Sequence, residues 1–181
     1  MARATTREER QNKLLEALAR MLGMEEPPRR MESYDISNQG ASDIVASMVV
    51  YADGRPLKRD YRRFKLKDMT GPDDYASMRE VIRRRFEEYK ASQRKGEQEG
   101  FGRLPDLILL DGGKGHVAAV QPILDEMGFD VPLYGMVKDD KHRTRAIALD
   151  GGEIAISSHR RAFTLVSSIQ DEVHRFAIGY H

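Results

Sequence analysis

LPDLILLDGGKGH, residues 104–116, runs four consecutive apolar residues, Leu107 to Leu110, into an aspartate, two glycines and a lysine. An unbroken apolar run of this kind is the pattern of a strand buried on both faces of a sheet. In open α/β sheets ligands gather just beyond the carboxyl ends of such strands, and Asp111 stands at that point. Gly112 and Gly113 leave room for a phosphate backbone to approach closely, and Lys114 adds a cation beside it. The plainer alternative is an aspartate and a glycine that merely end a strand. A phosphate loop of the form G-x-x-x-x-G-K-[ST] does not fit. Ile108 or Leu109 stands where its first glycine belongs, and Gly115 replaces the hydroxyl residue. No nucleotide cofactor is therefore expected. What remains is a carboxylate fixed on a rigid strand and suited to a hard cation such as magnesium.

Downstream, the sequence predicts a helix from about His116 to Met127 and a second apolar strand, VPLYGMV, over 131–137. Strand, helix and strand at this spacing form a parallel crossover. AIALDGGEIAIS (146–157) reads as a hairpin turning at Asp150-Gly151-Gly152, and a final helix runs from Ala162 to about Tyr180. Upstream, KASQRKGEQEGFGR (90–103) is polar and glycine-rich and reads as an exposed, mobile loop. Before it, Pro72-Asp73-Asp74 opens a helix whose apolar stripe is Tyr75, Met78, Val81, Ile82, Phe86 and Tyr89. Further back, MESYDIS (31–37), DIVASMVVYA (43–52) and LKRDYRRFKL (57–66) read as an antiparallel meander, with a tight turn at Asp53-Gly54. At the N-terminus Thr6-Arg7-Glu8-Glu9 has capping-box spacing. Leu14, Leu15, Leu18, Met21 and Leu22 then mark one amphipathic helix, which ends before Pro27-Pro28.

The predicted fold class is therefore α/β: a mixed sheet, made of an antiparallel three-strand meander plus parallel strands, flanked by helices and carrying an N-terminal helical appendage. Residues 1–29 are read as a helix and linker continuing from a preceding region, and 30–181 as the domain. A length of 181 residues suits one core, and 40% hydrophobic with 33% charged residues suits a globular protein. No apolar run approaches the roughly 18 residues of a membrane-spanning helix. The chain has no cysteine and no apolar N-terminal signal segment, which favours a cytoplasmic protein. A net charge of only +1 does not announce a nucleic-acid partner, so any such case rests on local arrangement.

One carboxylate does not make a site. Asp35 sits among strand formers in Tyr34-Asp35-Ile36-Ser37, where strand propensity disfavours it, although a solvated face would also explain it. In the last helix Leu165, Val166, Ile169, Val173, Phe176, Ala177 and Tyr180 define the buried stripe. His174 falls roughly 120° from its centre and is therefore not a core histidine; a surface pairing with Asp171 is the alternative. Asp139, Asp140 and His142 in KDDKHRTR (138–145) form a second candidate cation cluster, although a polar loop accounts for them as well.

YDIS (34–37), VASMVV (45–50), YRRFKLK (61–67), DDYASMREVIRRRF (73–86), PDLILLDGGKG (105–115) and DEVHRFAI (171–178) together resemble the C-terminal endonuclease domain of the UvrC family of bacterial excinucleases. The resemblance runs from about Arg30 to the end, and the motifs occur in the family's order. It implies a ribonuclease H-like fold and a Mg2+- or Mn2+-dependent endonuclease that makes the 5′ incision in bacterial nucleotide excision repair, part of the SOS response. The family's catalytic and metal-binding Asp, Asp and His fall on Asp35, Asp111 and His174, and Asp74 matches an acidic position with a supporting role. The implied partners are damaged double-stranded DNA and, in a full-length protein, UvrB. The family's GIY-YIG nuclease domain, UvrB-binding region and helix-hairpin-helix domains have no counterpart here, so the chain is expected to be an excised domain. Candidate DNA contacts are Lys114, Arg79, Arg83 and Arg84, with Arg85 beside them, and Arg160 with Arg161 after His159. Consecutive arginines cannot all face one way on a helix, so at least one of Arg83 to Arg85 is expected elsewhere. A nucleic-acid-binding module without chemistry and a small-molecule phosphotransferase stay open as alternatives.

Overall fold

The computed structural model describes residues 6–38, 43–66 and 73–179. Lys67, Pro72 and Tyr180, which figure in the expectations above, lie outside them. The elements are α1 (Thr6–Leu22), β1 (Arg30–Asn38), β2 (Ile44–Ala52), β3 (Arg55–Pro56), β4 (Arg62–Lys65), α2 (Asp74–Lys95), β5 (Leu107–Asp111), α3 (Lys114–Met127), β6 (Leu133–Lys138), β7 (Thr144–Leu149), β8 (Gly152–Ala155) and α4 (Arg160–Ile178).

Leu107 to Leu110 are each 0% exposed, because β5 lies mid-sheet with β1 and β6 parallel on either side. Strands β2, β7 and β8 extend the sheet antiparallel in the order β3-β2-β1-β5-β6-β7-β8, with β4 also on β2. This is the mixed α/β sheet that the apolar run called for. Side chains alternate between faces along each strand. Tyr34, Met48, Ile108 and Leu110 pack under α2 and α3, while Met31, Val49, Leu107 and Leu109 pack under α1 and α4.

Two expectations need correction. The third strand of the meander is broken into β3 and β4 by a short 3-10 turn over Lys58–Asp60. The cause is Asp60, whose carboxylate turns inward to accept a 2.7 Å bond from the buried Arg30 guanidinium. The stretch over 90–103 is not a free loop either. Helix α2 continues to Lys95 and is capped by Gly96 in the left-handed conformation, and Gly100–Gly102 form a further 3-10 turn. Polar residues there are the outer face of the last helical turns, and Gly102 is buried where a Cβ would overlap the Glu97 carbonyl. The helix start is as expected: the Asp73 side chain caps it by accepting from the Ala76 amide.

Beneath α2 lies a buried ion cluster. Arg85 and Glu32 are both 0% exposed, joined by Nε–Oε1 and Nη2–Oε2 bonds of 2.8 Å each. Arg30 reaches the same carboxylate at 3.2 Å, and Arg85 also donates to the carbonyls of Phe101 and Arg103. Burial alone would raise the Glu32 carboxyl, but Arg85 and Arg30 hold it below its ordinary value. Arg85 is thus the arginine of the run that faces inward, and it is no DNA contact. Removing one partner of such a pair strands a buried charge. Arg85→Ala is expected to lose about 3–5 kcal/mol of stability in urea unfolding followed by circular dichroism; a loss below about 1 kcal/mol would show that Glu32 is not held as described.

Candidate active site

In the parallel β1–β5 ladder Tyr34 pairs with Leu110, so Asp35 and Asp111 follow side by side at the same end of the sheet. Both take the face covered by α4, close enough that the Asp111 charge acts on the Asp35 carboxyl. Asp35 is 8% exposed and pairs across β2 with Ser47. The hydroxyls of Ser47 and of Ser33 are buried without a hydrogen-bond partner among the described residues. From α4, His174 places Nδ1 4.0 Å from Asp35 Oδ2, with its ring about half exposed.

Both Asp111 oxygens are occupied. Gln170 Nε2 donates to Oδ1 at 2.8 Å, and the Lys138 ammonium lies 3.1 Å from Oδ2. Gln170 also donates to the Met136 carbonyl and accepts at Oε1 from the Thr144 hydroxyl, which fixes which way its amide points. Burial first, and the adjacent Asp111 charge second, push the Asp35 carboxyl up to about 8.

The other candidates distribute around this centre. Asp74 is exposed at the start of α2, close enough that its charge, with that of Asp111, acts on His116. Lys114 is exposed at the first position of α3. Arg79 and Arg83 follow Tyr75 at successive i+4 steps along α2, and the Tyr75 ring meets His116 edge to face beside the site loop. Arg84 is drawn to the β4 edge, where it donates to the Lys65 carbonyl and lies over Phe64. Arg160 and Arg161 start α4, about 20 Å along the helix from His174. Asp139 is committed to the β6–β7 turn, accepting the amides of Lys141 and Arg143. Among the described residues no three acidic or histidine side chains sit close enough to hold an ion as they stand.

The glycines of the loop need another account than open clearance. A Cβ on Gly112 would overlap the His116 ring, one on Gly115 the Tyr75 hydroxyl, and one on Gly135 in β6 the Gly112 carbonyl. Only around Gly113, of the loop glycines, is the space open. Gly112 and Gly115 therefore serve close packing of aromatic rings around Asp111.

Lys138, Gln170 and Thr144 escaped the sequence reading. Gln170 carried a legible signal: a polar residue in the buried stripe of α4, one turn before His174. Lys138 is visible only once β6 is known to lie parallel beside β5, with Asp111 opposite Met136.

Two outcomes test this geometry. Because the folded state favours protonated Asp35, its contribution is present below the ordinary carboxylate range and lost as pH rises toward 8. In chelator, Asp35→Asn is expected to raise the melting temperature at pH 8 by roughly 5 °C and by far less at pH 5; a gap that does not narrow on acidification contradicts it. Gly135→Ala meets unyielding backbone and is expected to cost about 1–3 kcal/mol. Gly115→Ala meets the end of an exposed tyrosine and should cost less than about 1 kcal/mol in the same denaturation series.

A family model described as the UvrC RNAse H endonuclease domain matches residues 19–178. The chain is 47% identical over 178 residues to the UvrABC system protein C of Clostridium acetobutylicum, covering 94% of the chain and 28% of that relative. It is 52% identical over 160 residues to the protein of the same name from a Thermoanaerobacter species, covering 84% and 26%. The chain thus spans roughly a quarter of the length of these relatives. Among solved structures it is similar to Ciona intestinalis endonuclease V in complex with inosine-containing DNA, with TM-score 0.46, 15% identity and coverage of 72% and 55%. It is also similar to the catalytic domain of human endonuclease V, with TM-score 0.41, 13% identity and coverage of 93% and 88%.

Proposed function

Since the chain belongs to the UvrC RNase H endonuclease domain family, we propose that it hydrolyses a DNA phosphodiester bond with Asp35, Asp111 and His174, making the 5′ incision of bacterial nucleotide excision repair with Mg2+ or Mn2+. The observation that carries this reading is the Asp35–Asp111 pair at the ends of two adjacent parallel strands, with His174 4.0 Å from Asp35. Two largely buried carboxylates with one ammonium beside Asp111 are short of positive charge, and two hard oxygen donors on rigid strands fit a divalent cation. Such a cation, when bound, offsets the charge that builds on the phosphate and makes water a nucleophile near neutral pH.

The chain's own residues supply the rest. Asp35 and Asp111 would hold the ion, and Gln170 fixes the Asp111 carboxylate by donating to its Oδ1. The exposed His174 ring is placed to orient the attacking water or take its proton. Lys114, in the loop after Asp111, and Arg79 and Arg83, at i+4 steps from Tyr75, would contact phosphates, Asp74 would support the loop from α2, and Arg160 with Arg161 would serve a more distant duplex segment. Arg84, tied to the sheet edge, contributes by field rather than by direct contact. Damaged duplex DNA is the substrate, and UvrB is the partner in a full-length protein. Among the described residues no helix is long and apolar enough to cross a membrane, which suits a reading in the cytoplasm, where the chromosome lies.

Asp111→Asn keeps the shape of the side chain and removes the charge. It is expected to lower Mn2+-dependent nicking of duplex DNA at least about a thousandfold, the effect of losing several kcal/mol of transition-state stabilisation, with the melting curve still cooperative. Unchanged nicking by that variant rules out this set of residues, whereas no metal-dependent nicking by the unchanged protein favours a binding module without chemistry.

A further inference from the structure

We propose that Lys138 is an exchangeable internal cation: its ammonium neutralises Asp111 in the metal-free protein and turns to a phosphate of bound DNA when a divalent ion takes its place. This rests on the metal-dependent reading above and deepens it.

The two partners of Asp111 differ in kind. Gln170 is 2% exposed and locked at three points, by Asp111, the Met136 carbonyl and the Thr144 hydroxyl. It cannot leave without breaking a buried network. Lys138 ends β6, its side chain 27% exposed, and its contact with Asp111 Oδ2 is its one hydrogen bond described. An ammonium on a flexible four-carbon stem moves at little cost, unlike a guanidinium clamped at several points. One Asp111 oxygen is therefore held by a fixed amide and the other by the one partner built to let go.

Electrostatics gives the exchange its direction. With no ion bound, the Asp35–Asp111 pair needs a positive neighbour, and the Lys138 ammonium stands 3.1 Å from Asp111 Oδ2. A divalent ion on the same carboxylates would stand within a few ångströms of the ammonium and repel it. The incoming phosphate brings the opposite charge to the open side of the site, so the displaced ammonium gains a partner there.

The exchange makes two readouts move in opposite directions when Lys138 is neutralised. In calorimetric titration of the 181-residue chain, Lys138→Met is expected to bind Mn2+ about tenfold more tightly, since no cation must be displaced. Binding of a short DNA duplex in Ca2+ is expected to weaken about tenfold, and the slope of log affinity against log salt to fall by about one. Lys138→Arg should keep DNA binding near that of the unchanged protein, and Lys138→Gln, which adds no apolar methyl group, should repeat the methionine result. A lysine with a merely structural role would leave Mn2+ affinity unchanged or lowered in both neutral variants, and that result overturns the exchange while the metal site stands. Failure of the unchanged protein and the variants alike to take up Mn2+ overturns the metal reading and the exchange with it.

Discussion

The parallel pairing of β1 with β5 is the constraint on which this protein depends. Neither strand has a solvent face over the paired stretch, because α2 and α3 cover one side and α1 and α4 the other. A strand buried on both faces cannot slip by one residue without exchanging its two sets of packed side chains. Slippage would also drive Glu32 away from Arg85 and Arg30 into the opposite core, where nothing would meet its charge. The Asp106 carboxylate, accepting the Arg30 amide just ahead of β5, ties the same two strands at their start. With register fixed in this way, the placement of Asp35 beside Asp111 follows from the ladder alone.

That placement creates an electrostatic problem at one end of the sheet. Two carboxyl groups in mostly desolvated positions repel each other when both are ionised, and burial first and the Asp111 charge second raise the Asp35 carboxyl. The surroundings answer only in part. Gln170 supplies a dipole and Lys138 one charge, while the hydroxyls of Ser33 and Ser47, on the neighbouring positions of β1 and β2, are buried without partners among the described residues. The buried cluster at the other end of β1 is answered in full, Glu32 meeting two guanidiniums and the Tyr34 hydroxyl. One strand therefore carries two carboxylates with opposite fates: one saturated and structural, the other left short of positive charge where a ligand can reach it.

Much of this was legible in the residues. The apolar run before Asp111 placed β5 mid-sheet, the proline and aspartates before Tyr75 marked the start of α2, and the position of His174 off the apolar stripe of α4 kept it out of the core. The interruption of the third meander strand was not legible, because LKRDYRRFKL is locally a good strand and only the buried Arg30 makes Asp60 turn inward. The glycines from 96 to 102 read as looseness, yet Gly102 is there for close contact with the Glu97 carbonyl, a neighbour that exists only after the chain has folded back.

Local pattern thus determined element type, the burial of the central strand and the candidate acids, since periodicity and turn chemistry act between residues near one another in the chain. Tertiary structure alone decided that Arg85 belongs to the core while Arg79 and Arg83 remain outside it, that Gly112 makes room for His116, and that Lys138 and Gln170 share Asp111. The Lys138–Asp111, Arg85–Glu32 and Gln170–Asp111 contacts join residues 27, 53 and 59 positions apart. Charge and hydrogen bonding act through space, and no local pattern specifies which distant partner a packed sheet will bring within 3 Å.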